Sequence, residues 1–195
     1  MMQSNDKILE IFKGCGALLE GHFILASGKH SANYVQVALL AQYPRRLISL
    51  LFDKAFELQN RIKIDTVLSA AIGGIPVGQE LGALFDCKAI FAERDNNNKM
   101  VLKRGFTIKN DERILLVEDV MTTGGTIDEL KDIVIQNKGI IAGIFTIVNR
   151  TGKKYLGEYK IESIIELNFP VYNQDECPLC KQGIPAERPG TKKMI

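Results

Sequence analysis

The chain has 195 residues, of which 46% are hydrophobic and 25% charged, so its length and composition suit one globular domain with a full core. Its formal net charge of +2 is too small to indicate a general affinity for nucleic acid or for an anionic membrane. No segment approaches the roughly 18 consecutive apolar residues of a membrane span. The first residues lack the apolar core of a signal peptide, so we expect a cytoplasmic protein.

The N-terminal part predicts a helix followed by a hairpin. Residues 4–20 carry apolar side chains at helical spacing, and 22–26 and 33–37 have the pattern of two short strands around a polar turn. This hairpin precedes the alternating strands and helices, so we expect residues 1–40, with the C-terminal tail, to form a hood over a single domain spanning 1–195. His22 and His30 have no acid or nucleophile near them in sequence, and we expect both to be solvated and without a catalytic role.

Strands and helices then alternate. Residues 44–60 predict a helix that begins at a favourable first-turn proline, and 66–70 predict a buried strand. This strand runs through Gly73 and Gly74 into a second helix, so its turn is a candidate anion site made of backbone amides. Residues 88–93 predict a third strand.

A polar tract with four cations follows the third strand. Arg94, Lys99, Lys103 and Arg104 lie within eleven residues, and the intervening asparagines offer no apolar anchor. We therefore expect a mobile loop that can bring positive charge to an anionic ligand. For Lys103 and Arg104 an ordinary solvated charge run is an equally good interpretation.

The segment 113–126 carries the strongest functional signal. An apolar run from Ile114 to Val117 predicts a buried parallel strand that stops at the acidic pair Glu118 and Asp119. A loop rich in threonine and glycine then leads into a helix over 124–138, where unpaired amides and the helix dipole favour a phosphate group. The acidic pair suits the hydroxyls of a sugar. The loop and its flanks comprise Val120, Met121, Thr122, Thr123, Gly124, Gly125 and Thr126.

The remaining chain predicts two further strands and a cysteine pair. The strand 140–148 leads to Arg150, a lone arginine where open parallel sheets bind ligands, and 161–167 predict the last strand. Cys177 and Cys180 have the spacing of half a zinc ribbon, but a structural zinc ion needs four ligands and the other two cysteines are isolated. We therefore expect a reduced pair in a turn and no metal ligands among the protein side chains.

The loop at 122–126 is neither a Walker loop, which needs a lysine after its last glycine, nor a dinucleotide fingerprint. With its acidic pair it resembles the signature of the type I phosphoribosyltransferases, which bind 5-phosphoribosyl 1-diphosphate. The N-terminal hairpin with Tyr34, the basic tract at Arg94 and the Cys-Pro-x-Cys tail are similar to those of orotate phosphoribosyltransferases, so the resemblance runs from about residue 16 to 191. The chain departs from many members at Gly73, where they carry a lysine.

The resemblance implies an α/β fold with a mostly parallel central sheet flanked by helices. It also implies transfer of ribose 5-phosphate to orotate, giving orotidine 5′-monophosphate and diphosphate in pyrimidine biosynthesis, with Mg²⁺ as cofactor and a homodimer as the active form. The acidic pair and Arg94 would be catalytic, and the loops at 73–74 and 120–126 would bind phosphoribosyl diphosphate. Orotate would contact Thr122, Arg150 and, by stacking, Tyr34.

Two other functions stay open on the sequence alone. One is a regulator that binds phosphoribosyl diphosphate and nucleic acid, although the small net charge and the lack of a basic stripe count against nucleic acid. The other is the same transfer to a purine base. Tyr34 and Arg150 favour a pyrimidine acid, because a guanidinium pairs well with a carboxylate.

Overall fold

The computed structural model describes residues 4–25 and 27–189. The predicted strand end at Ala26 and the tail residues 190 and 191 lie outside these ranges. In chain order the elements are α1 (Asn5–Gly14), β1 (Leu18–Ile24), β2 (His30–Val35), α2 (Val37–Ala41), α3 (Pro44–Gln59), β3 (Thr66–Ala70), α4 (Gly74–Phe85), β4 (Lys88–Arg94), β5 (Met100–Leu102), β6 (Arg113–Met121), α5 (Gly125–Gln136), β7 (Ile140–Asn149), β8 (Tyr155–Leu156), β9 (Tyr159–Glu166) and α6 (Pro178–Lys181).

A seven-stranded sheet forms the centre of the molecule, with the strand order β5-β4-β3-β6-β7-β9-β8. The five inner strands are parallel, and the two short edge strands β5 and β8 are antiparallel to their neighbours. The predicted fold class, a mostly parallel α/β sheet flanked by helices, is confirmed. None of the helices in the described ranges has the length and apolar character needed to cross a membrane.

Alternation of side chains along β3 and β6 produces two cores, one on each face of the sheet. Val67 and Leu115 pack with α3 and α4 on one face. Leu68 and Leu116 pack with α5 on the other face. Because both faces are covered, β6 is apolar and fully buried from 114 to 117 and is held in place from both sides.

The first helix is shorter than predicted. Helix α1 ends at Gly14, and Gly16 adopts a φ of +69°, a left-handed conformation that favours glycine and turns the chain into β1. The apolar residues at 17–19 belong to this turn and strand, because short apolar runs fit helix and strand equally well. The hairpin strands accordingly begin at 18 and 30, earlier than the predicted 22 and 33.

Several local features differ from the expectations. Strand β6 continues through the acidic pair to Met121, because it is longer than β3 and keeps pairing with β7. The helix α2 and the strand β8 are too short for a periodic pattern to reveal them.

The polar tract after Arg94 forms a compact turn, in which Oδ1 of Asp95 accepts from the amides of Asn97 and Lys99, both at 2.9 Å.

The hairpin β1–β2 forms a separate two-stranded sheet that pairs with the C-terminal segment. Phe23 bridges to Glu187, and His30 bridges to Tyr172. The prediction that both histidines are solvated is wrong, because this C-terminal segment covers them: His22 is 3% exposed and His30 is 4% exposed.

Candidate active site

The carboxyl ends of three neighbouring parallel strands meet at one edge of the sheet. Strand β3 ends at Ala70, β6 at Met121 and β7 at Asn149, and β6 lies between the other two. The loops that follow these strands therefore face a common space, which is where open parallel sheets bind ligands.

The acidic pair lies at the end of β6, and its two side chains have different surroundings. Asp119 lines a cavity of about 810 Å³, whereas Glu118 lies beside Thr126 and Glu129 of α5. Consecutive strand residues point to opposite faces of a sheet, so Asp119 faces the cavity and Glu118 faces α5. In the part of the chain that the structure describes, neither carboxylate forms an ion pair with a cation, which leaves both available to a ligand.

Burial raises the pKa of both carboxyl groups. The pKa of Glu118 rises to about 7, chiefly because burial disfavours the carboxylate; the hydrogen bond with Thr126 opposes this effect, and the charges of Asp119 and Glu129 add to it. Burial also raises the pKa of Asp119, and hydrogen bonds with backbone amides oppose that rise. Ionising the pair without a ligand therefore costs free energy.

The glycine and threonine loop joins β6 to α5 in the expected place. Gly124 has a φ of +91°, and a Cβ there would lie 3.0 Å from Leu156 and 3.1 Å from Met121, so only glycine fits. It is the N-cap of α5 and provides no side-chain cap for the helix. Thr122 and Thr123 are exposed, so the loop presents hydroxyls and the first amides of the helix to the solvent.

The second glycine loop follows β3 and contacts the acidic pair. A cis peptide bond joins Ala71 to Ile72, and Gly73 is the N-cap of α4. A Cβ at Gly73 would overlap the carboxylate of Asp119. Gly74 lies almost as close to the sheet, because a Cβ there would be 3.3 Å from the carbonyl oxygen of Val117. This loop can therefore offer an anion its backbone amides but no side-chain cation.

Tyr34 and Arg150 line the same cavity as Asp119, so the structure brings together residues that are far apart in sequence. The pKa of the Tyr34 hydroxyl is raised, first by burial and then by the charge of Asp119, while the Arg150 charge lowers it. The Tyr34 ring lies 5.9 Å from that of Phe23, measured between ring centroids. The hairpin thus holds an aromatic ring at the cavity wall, as stacking on a planar base requires.

Arg150 is a half-buried cation whose Nε has no hydrogen-bond partner among the described residues. Its Nε is buried and forms no hydrogen bond within the described residues, and its guanidinium lies 5.3 Å from the centre of the Phe169 ring. Burial lowers the pKa of this guanidinium, so the charge is held at a cost. A guanidinium with an unpaired Nε in a cavity is well suited to a carboxylate ligand, which could accept two parallel hydrogen bonds from it.

Two more cations in the cavity wall were missed by the sequence analysis. Lys29 comes from the turn between β1 and β2, and Arg188 comes from the C-terminal segment. The turn position of Lys29 was the available signal, because the hairpin was already expected to cover the site. Arg188 gave no such signal, since its position depends on pairing between the C-terminal segment and β1.

The basic tract lies outside this cavity wall. Two nitrogens of Arg94 donate to the carboxylate of Glu129 at 2.7 and 3.0 Å, and one of them also donates to the carbonyl of Asn98 at 2.6 Å. Lys103 donates to the carbonyl of Arg94, and Arg104 pairs with Glu93. In this conformation the tract bonds to its own chain. Arg94 is paired with Glu129, whose charge also acts on Glu118.

The fold and the site together define a class of α/β proteins that bind a phosphorylated ligand at the carboxyl edge of a parallel sheet. Comparison with known proteins agrees. Residues 40–178 match the phosphoribosyl transferase domain family. An orotate phosphoribosyltransferase of Caldicellulosiruptor saccharolyticus is 42% identical over 191 residues, which cover 98% of this chain and 99% of that protein. One from Thermotoga maritima is 40% identical over 95% of this chain and 98% of its own length.

Solved structures share the fold at lower identity. An orotate phosphoribosyltransferase from Aeropyrum pernix has a TM-score of 0.70 and 22% identity, covering 82% of this chain and 93% of its own. An adenine phosphoribosyl transferase from Trypanosoma brucei has a TM-score of 0.63 and 14% identity, covering 85% and 82%. The chain therefore belongs to the phosphoribosyltransferase family and, within it, to the orotate phosphoribosyltransferases.

Proposed function

We propose that this protein transfers ribose 5-phosphate from phosphoribosyl diphosphate to orotate, giving orotidine 5′-monophosphate and diphosphate in pyrimidine biosynthesis. The observation that carries the proposal is Arg150, whose buried Nε has no hydrogen-bond partner among the described residues, in the cavity that Asp119 and Tyr34 also line. Orotate has the planar ring and the carboxylate that such a cavity requires. The curated relatives at about 40% identity over nearly the whole chain support the same substrate.

Each part of the site then has a task. Glu118 and Asp119 accept hydrogen bonds from the ribose hydroxyls, and the loop at 122–126 holds the 5′-phosphate with its amides and hydroxyls. The loop at Gly73 and Gly74 contacts the diphosphate, while Thr122, Arg150 and Tyr34 hold orotate. Positive charge develops at the ribose carbon as diphosphate leaves, so the carboxylates stabilise the transition state electrostatically. Few protons move, and positioning supplies much of the rate.

Mg²⁺ is the proposed cofactor. The site fits the ion, because Mg²⁺ is a hard ion that binds readily through the oxygens of the sugar diphosphate, and the Asp119 carboxylate adds negative charge at the same cavity. When bound, the ion would neutralise charge on the diphosphate. The protein's own contribution is to leave the carboxylates without a competing ion pair among the described residues, beside a loop that has no side-chain cation.

The test of the function is diphosphate release with orotate, uracil, adenine and hypoxanthine offered in parallel. We expect turnover with orotate and at most slight turnover with uracil, which lacks the carboxylate that Arg150 would bind. Turnover with a purine base instead would show a purine enzyme. Binding of phosphoribosyl diphosphate without turnover of any base would indicate the regulator.

The pH dependence is expected to reveal Glu118. Below about 7 this group is protonated, and it then loses part of its capacity to accept from ribose hydroxyls. Because kcat/KM reports ionisation of the free enzyme, kcat/KM for phosphoribosyl diphosphate should fall as the pH drops below that value. The substrate phosphate titrates near pH 6 in every variant. In Glu118→Gln the fall of kcat/KM below pH 7 should therefore be smaller, with only the part due to the substrate phosphate remaining. An identical pH profile in both proteins would show that Glu118 does not cause the fall.

The same shift predicts an effect on stability. The folded-state pKa of Glu118 lies above its ordinary 4.5, so the native protein binds more protons than the unfolded chain between pH 4.5 and about 7. Stability from this group is present below 4.5 and is lost as the pH rises through 7. Glu118→Gln should accordingly raise Tm at pH 8 and leave it nearly unchanged at pH 4.5.

We also propose a cytoplasmic homodimer in which the tract at Arg94 serves the neighbouring active site. Gly73 leaves the diphosphate loop without a charged side chain, and Arg94 does not line the cavity of its own chain. Its ion pair with Glu129 is exposed, so water can replace Glu129 when the arginine leaves for another partner. A two-fold interface would give each site one borrowed loop. None of the four cysteines forms a disulfide, which agrees with a reducing compartment.

Mixing two inactive variants tests the exchange of loops. After subunit exchange between Arg94→Ala and Asp119→Asn, a loop that acts across the interface produces mixed dimers with one intact site, and activity returns. A loop that acts within its own chain leaves a lesion in every site, and the mixture stays inactive. Native mass spectrometry with one variant tagged shows whether mixed dimers have formed, so an inactive mixture that contains them would exclude a loop acting across the interface.

A further inference from the structure

A cluster of two histidines and two cysteines lies outside the substrate cavity. His22 comes from β1 and His30 from the start of β2, whereas Cys177 and Cys180 come from α6 and the residue before it. One ligand atom from each of the four side chains lies within 4.8 Å of all the others. The two histidines and Cys177 are buried, and Cys180 is half-buried. Four soft or borderline ligands converge there from two segments that are some 150 residues apart.

The distances within the cluster fit a tetrahedral ion. With zinc–sulfur bonds of about 2.3 Å and zinc–nitrogen bonds of about 2.0–2.1 Å, a regular tetrahedron separates nitrogen from sulfur by about 3.5 Å and the two nitrogens by about 3.3 Å. His22 Nε2 lies 3.5 Å from the Cys177 sulfur and 3.7 Å from the Cys180 sulfur, and His30 Nδ1 lies 3.3 Å from the latter. The two nitrogens are 2.7 Å apart, so an ion would require a small separation of the rings.

A hydrogen bond outside the cluster orients one of the ligands. Nδ1 of His22 lies 2.7 Å from the carbonyl oxygen of Ile184, which can only accept, so this nitrogen carries the proton. In a neutral ring the lone pair is then on Nε2, the atom that faces His30 and both sulfurs. Metal-binding histidines typically donate their other ring N–H to a carbonyl in this way.

We propose that these four side chains bind a structural zinc ion. A set of two thiolates and two imidazoles binds zinc in preference to Mg²⁺ or Ca²⁺, which take oxygen ligands. Four protein ligands leave no open position for chemistry. The sequence did not indicate this site, because the other two cysteines are isolated and supply no second pair of ligands. The other half consists of the two histidines, which the C-terminal segment covers.

The ion would fasten the C-terminal segment to the hairpin beside the substrate cavity. His30 and Tyr172 exchange backbone hydrogen bonds of 2.8 and 2.9 Å. On the other strand, the amide of Glu187 donates to the carbonyl of His22 at 2.8 Å. The two cysteines of the cluster lie between Tyr172 and Glu187 in the sequence, so the ion would add a third attachment between the same two segments. Lys29 from the hairpin and Arg188 from the segment line the cavity, so the ion would hold together two parts of its wall.

The metal content of the purified full-length protein tests the proposal independently of its activity. Expressed with zinc and purified under reducing conditions, the chain should contain about one zinc ion, measured by mass spectrometry of the element. Cobalt taken up in place of zinc should give the visible absorption of a tetrahedral thiolate complex. A strong chelator should lower Tm by roughly 5 °C or more, because the ion binds the folded state.

Two cysteine variants separate a metal ligand from a buried thiol. Cys180→Ser should lose more than nine-tenths of the bound zinc, and its Tm should no longer respond to the chelator. Cys87→Ser makes the same change at a free cysteine outside the cluster, and this variant should keep its zinc and its response to the chelator. A wild-type protein that takes up neither zinc nor cobalt, or one whose Cys177 and Cys180 form a disulfide, would overturn the proposal. The cobalt spectrum of the wild-type protein keeps the test decisive if the Cys180 variant does not fold.

Discussion

Replacing Asp119 by asparagine is expected to reduce turnover by about 10³-fold while the protein remains folded. Two effects combine. Asparagine accepts more weakly from the ribose hydroxyls, and it removes a negative charge from the place where the ribose carbon becomes positive. Burial already raises the pKa of Asp119, so the folded protein holds the carboxylate at a cost. A neutral side chain of the same shape should leave Tm unchanged or higher.

Steady-state rates with saturating orotate, together with thermal unfolding, measure this result. Asp128→Asn is a matched control, because Asp128 lies in the first turn of α5, is exposed and pairs with Lys131 at 3.0 Å. It should retain near-normal activity. Near-normal kcat/KM in folded Asp119→Asn would refute the role of Asp119 in binding ribose.

The central part of the fold could be predicted because its sequence patterns are long and consistent. The strand over 66–70 and the helix that begins at Pro44 lie within a residue of their expected limits. The loop at 122–126 could also be predicted, since Gly124 needs a left-handed backbone conformation and the helix begins directly after it. Local geometry and local sequence specify the same structure in these places.

Other features depend on contacts between distant segments, which a single sequence does not reveal. Arg188 reaches the cavity only because the C-terminal segment pairs with β1. The histidines are buried for the same reason. The restriction at Gly73 is also tertiary: the carboxylate of Asp119 occupies the space that a side chain would need. With Asp119 in this position, the loop has no room for a side chain at Gly73.

The turn after Arg94 shows a different limit of sequence analysis. Three consecutive asparagines indicate a loop, but they do not show that Asp95 accepts from two of the loop's amides. Nor do they show that Arg94 pairs with a glutamate 35 residues away. Short polar side chains stabilise turns through such local hydrogen bonds, and composition alone does not distinguish a turn of this kind from an unstructured loop.

Arg150→Ala is expected to raise KM for orotate strongly and to leave KM for phosphoribosyl diphosphate nearly unchanged. Losing one partner of a buried, charge-assisted pair costs about 2–5 kcal/mol, which corresponds to roughly 30- to 4,000-fold. The buried Nε has no hydrogen-bond partner in the described part of the chain, so the substrate carboxylate is the group that would satisfy it. Removing this cation should not lower Tm, because burial disfavours its charge and Arg150 forms no ion pair within the described ranges 4–25 and 27–189.

Arg150→Lys separates the charge from the shape of the guanidinium. A lysine keeps the positive charge but lacks the planar fork, so its KM for orotate should lie between those of the wild-type protein and the alanine variant. Parallel measurements of both KM values and of Tm determine the role of Arg150. Equal losses for the two substrates, with a fall in Tm, would identify it as a structural residue that packs against Phe169. A rise confined to orotate, with Tm unchanged, would identify the guanidinium as the group that binds the carboxylate.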